Sequence, residues 1–200
     1  MVLVNSMCIL KINFMKELNY LFFGTHNILN ALACIAVCNE YGISSTIIKN
    51  SLAKFTVADR RFEYVGNYNG INVYDDYGHH PTEIVATAKA LMNKKYNKSW
   101  VIFQPHTYSR TKNLLDDFAK ALLNFDNIII TDIYAAREKD TYGVTSADLA
   151  NRVNDFNKKA IYMKNFEEIA RYIKENAHEN DIVLTLGAGT ITDLSKMIVQ

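Results

Sequence analysis

Apolar residues along the chain come in short runs whose spacing alternates between two periods, and polar clusters rich in glycine or asparagine punctuate them. Residues 7–12 and 18–23 predict two short strands joined by a turn. With nothing ahead of them to complete a sheet, they read as the tail of a domain whose beginning lies elsewhere. Residues 28–41 then predict an alanine-rich helix with Leu29, Leu32, Ile35 and Ala36 on one face, Asn27 as its N-cap and Gly42 just past its end. A second helix over 45–55 takes Ser44 as its cap. From Phe62 onward strand-like and helix-like runs alternate. Strands are expected over 62–66 and 72–75, around a turn at 67–70, and a helix over 82–93. There follow a strand at 100–104, a helix at 111–123, a strand at 127–132 and a helix at 146–153. A short strand at 161–162, a helix at 166–176, a strand at 182–186 and a helix at 191–199 complete the chain. This alternation predicts an α/β fold, a mostly parallel sheet with helices on both faces. The pattern changes near residues 57–61, which divides the chain into segments 1–59 and 60–200.

Composition narrows the function classes. An apolar fraction of 49% over 200 residues supports a packed core. Lys+Arg of 22 against Asp+Glu of 21 leaves no basic excess, which argues against nucleic acid or an anionic membrane as partner. Cys8, Cys34 and Cys38 follow no secretory signal, so a reducing, cytoplasmic setting is expected. Cys34 and Cys38 share a helix face and could hold a metal, but small apolar thiols are the simpler reading. No apolar run reaches the roughly 18–20 residues of a membrane span.

Three polar clusters fall where strands end. The first, Asp75 to Glu83, holds two acids, two imidazoles and Tyr77 around Pro81. The second runs from Gln104 through His106 and Ser109 to Arg110. The third runs from Asp132 through Tyr134, Arg137 and Glu138 to Gly143. In a doubly wound sheet all three share one rim and can converge on one ligand, and the arginines supply planar forks for a carboxylate or phosphate. Each cluster also has a plain structural reading, with Pro81 in a first helical turn and Asp76 satisfying backbone donors. Metal ligation by His79 and His80 is disfavoured because adjacent side chains seldom converge. A Ser109–His106–Asp hydrolytic arrangement lacks a nucleophile elbow. The Leu186-Gly187-Ala188-Gly189-Thr190 loop fits a phosphate cradle and close strand-to-helix packing equally well. There is no G-x-x-x-x-G-K-[ST] loop and no Gly-Lys dipeptide, so the phosphates of any nucleoside triphosphate are expected to be gripped from outside this chain.

The stretches GTHNILNALA at 24–33, RRFEYVG at 60–66, DDYGHHPTE at 75–83, FQPHTYSRTKNLLDDFA at 103–119, DIYAARE at 132–138 and LGAGT at 186–190 together resemble the Mur ligases. Within them the likeness is to the branch that adds L-alanine to UDP-N-acetylmuramate in peptidoglycan synthesis. The resemblance implies that residues 1–59 are the last part of the central, ATP-binding domain and 60–200 a Rossmann-like C-terminal domain that brings the amino acid. The UDP-sugar domain, the P-loop and the Mg2+-binding acids of that family have no counterpart here. The chain thus reads as a split or truncated ligase, inactive without a separately encoded N-terminal half.

Carried over position by position, the resemblance implies that Asn27 and Asn30, with His26 beside them, contact the adenine of ATP, and that Arg61 and Asp76 meet the nucleotide. It implies that Tyr77, His79, His106 and Arg110 line the alanine pocket. Arg110 would then fork the alanine carboxylate and His79 orient the attacking amine. Thr25 and Phe23 depart from the residues usual in the family. Two other readings compete: a non-catalytic remnant that binds alanine or adenine, and the related ligase that recycles muropeptides.

Overall fold

The computed structural model describes residues 25–54 and 59–200. The strands expected at 7–12 and 18–23, and the end of the helix expected to reach 55, lie outside the described residues. The chain divides into two compact units, Met1–Ala58 and Asp59–Gln200.

In the first unit, α1 (Thr25–Glu40) and α2 (Ser45–Ala53) pack Ala31 among Ile28, Leu32, Ile35 and Leu52. Helix α1 begins before Asn27, so Asn27 is a first-turn residue and not the expected N-cap. Its other end follows expectation. Gly42 takes φ 71°, and the amides of Gly42 and Ile43 bond back to the carbonyls of Asn39 and Cys38, a paired closure that needs a left-handed residue. Ser44 caps α2 by accepting from the Ile47 amide.

The second unit opens with a hairpin, β1 (Glu63–Tyr68) and β2 (Ile71–Asp76). The expected four-residue turn is tighter. Tyr68 pairs with Ile71, leaving Asn69 and Gly70, both at positive φ, as a two-residue turn. Helix α3 (Pro81–Leu91), β3 (Ser99–Phe103), α4 (Tyr108–Asn113), α5 (Leu115–Leu122) and β4 (Asn127–Ile130) follow. Then come α6 (Ser146–Asn154), β5 (Ala160–Tyr162), α7 (Phe166–Asn176), β6 (Ile182–Leu186) and α8 (Ile191–Val199). The helix expected over 111–123 is two helices. The chain leaves helical geometry at Leu114 (φ −116°, ψ 23°), a break no glycine or proline marks.

The sheet order is β1-β2-β6-β3-β4-β5, with β1 antiparallel to β2 and every other pairing parallel. Alternation along the strands feeds two cores. Val101, Phe103, Leu184 and Leu186 pack with Ile84 of α3, Phe118 and Leu122 of α5 and Leu149 of α6. Trp100, Ile102 and Val183 pack with Ile169 and Ile173 of α7 and Leu194 and Ile198 of α8. Connections from β2 to β5 thus run along one face, and α7 carries the chain back across the other to set β6 between β2 and β3. That reversal opens a crevice at the carboxyl ends of these strands.

Phe118 is fully buried against Phe103, the ring centroids 5.3 Å apart. Phe118→Ala is expected to cost about 3–5 kcal/mol. The fluorescence of Trp100, the only tryptophan, followed in urea gives the measurement. An unmoved midpoint refutes the packing.

Candidate functional site

The rim is built from four loops, and each is fixed by contacts its sequence dictates. After β2, Glu83 reaches back from α3 to accept from the amides of His79 (2.9 Å) and His80 (3.1 Å). His80 is the N-cap of α3, its ring accepting from the Thr82 amide. His79 turns the other way, with Nδ1 3.0 Å from the Tyr77 carbonyl. The adjacent imidazoles therefore serve different partners, and among the described residues no group of three or more metal-ligating side chains assembles.

After β3, the chain bends at Thr107, a β-branched residue at φ 67°. Such a conformation costs on the order of 1–3 kcal/mol and persists only where its surroundings hold it. Here the Thr107 amide donates to Tyr134 O (2.9 Å), and its carbonyl accepts from the amide (3.2 Å) and hydroxyl (2.7 Å) of buried Thr111. The bend brings His106 onto Tyr134, the rings stacked at 5.7 Å, and brings Arg110 Nη1 to 3.5 Å from His106 Nδ1. From the loop after β4, Glu138 accepts from the amide and hydroxyl of Ser109, which holds its carboxyl below the usual range. Ser109 is thus engaged by Glu138, not by His106, and no hydrolytic triad forms.

After β6, Gly187 and Gly189 make a close approach. A Cβ on Gly187, at φ 150°, would stand 2.7 Å from Gln104 O; one on Gly189 would stand 2.4 Å from Gln104 Oε1 and 2.5 Å from Tyr134 Cγ. The Gly187 amide donates to Asp76 O, and the first amide of α8, on Ile191, donates to Gln104 Oε1. The carbonyls of Gly187 and Gly189 accept from the guanidinium of Arg60. Of the two readings of this loop, close packing accounts for both glycines, and Arg60 binds two of the loop's carbonyls.

Arg60 is the residue the sequence left unmarked. Its Nε donates to Asp75 at 2.8 Å, and Thr185 donates its hydroxyl to the other Asp75 oxygen at 2.6 Å, so this 1% exposed carboxylate is satisfied. Arg61, which the resemblance implies meets the nucleotide, is exposed. Asp76 is buried and accepts from the amides of Phe62 (2.8 Å) and Gly78 (2.7 Å); burial raises its pKa, and those bonds and the charge of Arg61 oppose the rise. The doubled Arg60-Arg61 and Asp75-Asp76 were the available signal: Arg60 pairs with Asp75, and the charge of Arg61 acts weakly on Asp76. Of the remaining expected residues, Asn30 is exposed on α1, and His26 and Asn27 lie in its first turn with side chains outside what is described.

The structure brings Tyr77, His79, His106 and Arg110 together. Tyr77 meets His79 edge-on at 5.3 Å, and His79 lies 5.4 Å from His106 between ring centroids. Hydrogen bonding assigns the tautomers. A carbonyl only accepts, so His79, whose Nδ1 also lies 3.6 Å from Glu83 Oε2, carries a proton on Nδ1 and, when neutral, leaves Nε2 as an acceptor; an arginine only donates, so His106 accepts at Nδ1 and carries its proton on Nε2. Burial, His79 and Arg110 lower the His106 pKa, outweighing Glu138, and keep that ring neutral. The acids at this rim are already engaged, Asp75 by Arg60 and Thr185, Asp76 by two amides and Glu138 by Ser109, so they do not fit a divalent cation.

A sequence model described as Mur ligase, glutamate ligase domain, matches residues 60–189. The UDP-N-acetylmuramate–L-alanine ligase of Acetivibrio thermocellus is 49% identical over 177 residues, 88% of this chain and 38% of that protein. The ligase of the same name from Caldanaerobacter subterraneus subsp. tengcongensis is 48% identical over the same length. This chain therefore spans well under half the length of the relatives it matches. Among solved structures, the UDP-N-acetylmuramate–alanine ligase of Thermotoga maritima superposes with a TM-score of 0.70 at 31% identity, covering 88% of this chain and 37% of that one. A murein peptide ligase from Psychrobacter arcticus, 22% identical with a TM-score of 0.67 and covering 88% and 36% of the two chains, shares the fold.

Gly189→Ala forces Tyr134 or Gln104 to move and is expected to cost about 1–3 kcal/mol. A urea midpoint equal to that of the parent protein counts against this packing. His106 titrates lower folded than unfolded, where its ordinary value is 6.5, so between the two values the unfolded chain binds more protons. Its contribution to stability is complete above 6.5 and declines as pH falls below it. A series of urea midpoints between about pH 8 and pH 5 should show that limb, flattened in His106→Gln. Coincident limbs in the two proteins would exclude His106 as its source.

Proposed function

This chain belongs to the Mur ligase family, and on that premise we propose that it is the amino-acid-binding portion of a cytoplasmic ligase joining L-alanine to UDP-N-acetylmuramate for peptidoglycan. Residues 1–59 then form the end of the ATP-binding domain and 60–200 the amino-acid domain. The observation that carries the reading is the placement of His79 Nδ1 at the Tyr77 carbonyl and of His106 Nδ1 beside Arg110, which favours opposed tautomers in the two rings. A zwitterion needs a cation and a donor for its carboxylate and an acceptor for its ammonium proton, and this rim offers all three.

In this reading Arg110 and the Nε2–H of His106 hold the alanine carboxylate, while Tyr77 walls the side chain. His79 Nε2 takes a proton from the ammonium, and the freed amine attacks the activated muramate carbon. The new C–N bond forms as the C–O bond to phosphate breaks, the nitrogen passes its second proton to the departing phosphate, and inorganic phosphate leaves. ATP supplies the phosphoryl group for that activation. His26, Asn27 and Asn30 in the first unit are proposed for the adenine, and Arg61 and Asp76 in the second for the nucleotide. The acids of the described rim do not suit Mg2+, so its ligands are assigned to the complementary portion of the enzyme, a separately encoded N-terminal half. The chain's share of catalysis is positioning and charge stabilisation.

The test mixes this chain with a polypeptide carrying the UDP-sugar domain and the P-loop, and measures phosphate release dependent on UDP-N-acetylmuramate and L-alanine. Release that needs both substrates is expected; none, with both parts folded, favours a non-catalytic remnant. Release with a muropeptide in place of alanine would redirect the reading to recycling. Arg110→Ala should lower kcat/KM for alanine by roughly 2–5 kcal/mol of transition-state binding. An unchanged alanine dependence removes Arg110 from the pocket.

A further inference from the structure

A closed circuit of contacts surrounds the carboxyl ends of β2, β6, β3 and β4. The Arg60 guanidinium lies 5.0 Å from the Tyr77 ring centroid, Tyr77 meets His79, and His79 meets His106. His106 stacks on Tyr134, and Tyr134 presses on Gly189 closely enough to forbid a Cβ there. The Gly189 carbonyl then accepts from Arg60 Nη1 at 3.3 Å, which closes the circuit. Arg60 is the side chain that joins its two ends, beside the backbone bond from the Gly187 amide to Asp76 O, and it is fixed on every side. Its Nε is paired with Asp75, its Nη2 with the Gly187 carbonyl, its amide with Glu63 (2.7 Å), and its carbonyl with the Tyr77 amide (2.7 Å). It holds this place in the left-handed region at φ 61°, a conformation that surrounding contacts must enforce in a non-glycine residue.

We propose that Arg60 is a positioning residue for the His79–His106 pair, tying the Tyr77 loop to the Gly189 loop and so fixing the separation of the two imidazoles. Only a planar fork serves, because one group must meet a carboxylate, two carbonyls and a ring face together. A lysine could pair with Asp75 but not span the rest. The inference rests on the alanine-site reading for its catalytic consequence and on the circuit alone for its structural one.

Two variants keep the test interpretable. Arg60→Lys retains a cation opposite buried Asp75, and Arg60→Met combined with Asp75→Asn removes the pair without stranding a charge. In this chain, NMR of the ring protons reads the His79–His106 contact and the His106 titration. His79 from the loop after β2, Arg110 from α4 and Glu138 from the loop after β4 are the titratable and charged groups acting on His106. In both variants the ring contact is expected to weaken and the His106 midpoint to rise toward 6.5. The His178 resonances, at the opposite ends of the strands, should stay in place and certify the fold. A retained contact with an unmoved His106 midpoint in both variants overturns the proposal. In the reconstituted enzyme, KM for alanine should rise about tenfold in Arg60→Lys with a smaller change in kcat. A parent mixture that never turns over alanine defeats the alanine-site reading, and the NMR comparison still decides the role of Arg60.

Discussion

Strand β6 can lie between β2 and β3 only if the chain leaving it passes flush against Gln104, where a Cβ on Gly187 would come within 2.7 Å of the Gln104 carbonyl. The rest of the rim follows from that approach. With β6 inserted, its carboxyl end stands beside those of β2 and β3, and the loops leaving the three strands go to helices on opposite faces. The crevice between them is lined by whatever the loops carry, here an arginine fork, two imidazoles and two tyrosines.

Much of this was legible in the sequence. The ends of α7, β6 and α8 match the pattern because Asn165 caps α7 and the apolar runs stop where polar residues begin. Tyr77, His79, His106 and Arg110 were marked as one cluster, and they meet. What escaped was set by tertiary contact. Leu114 interrupts a helix with no local signal, and Thr107 adopts a conformation its β-branch disfavours because Tyr134 and Thr111 hold its peptide from outside. Arg60 escaped for a related reason. Its neighbour Arg61 is chemically identical in the sequence, and only the hairpin register and the Gly187 approach decide which guanidinium turns inward.

The two histidines illustrate how identical side chains acquire opposite functions. Each imidazole has one nitrogen committed to a neighbour, and the neighbour decides the tautomer: a carbonyl for His79, a guanidinium for His106. Neither assignment depends on a ligand. The site is therefore polarised before anything binds, one ring ready to receive a proton and the other ready to donate a hydrogen bond. Arg110 matters twice, as a cation and as the group that keeps a proton off His106 Nδ1.

The same reasoning bounds what this rim can do. Asp75, Asp76 and Glu138 bring three carboxylates to this rim. Each is spent on structure: Asp75 anchors Arg60, Asp76 anchors the amides of Phe62 and Gly78, and Glu138 anchors Ser109. Freeing any of them would undo the loop it holds. What these three acids leave for chemistry beside Tyr77 is Arg110 and the two imidazoles. That balance suits the binding of a carboxylate and the acceptance of one proton, which is what the proposed role in holding an incoming amino acid requires.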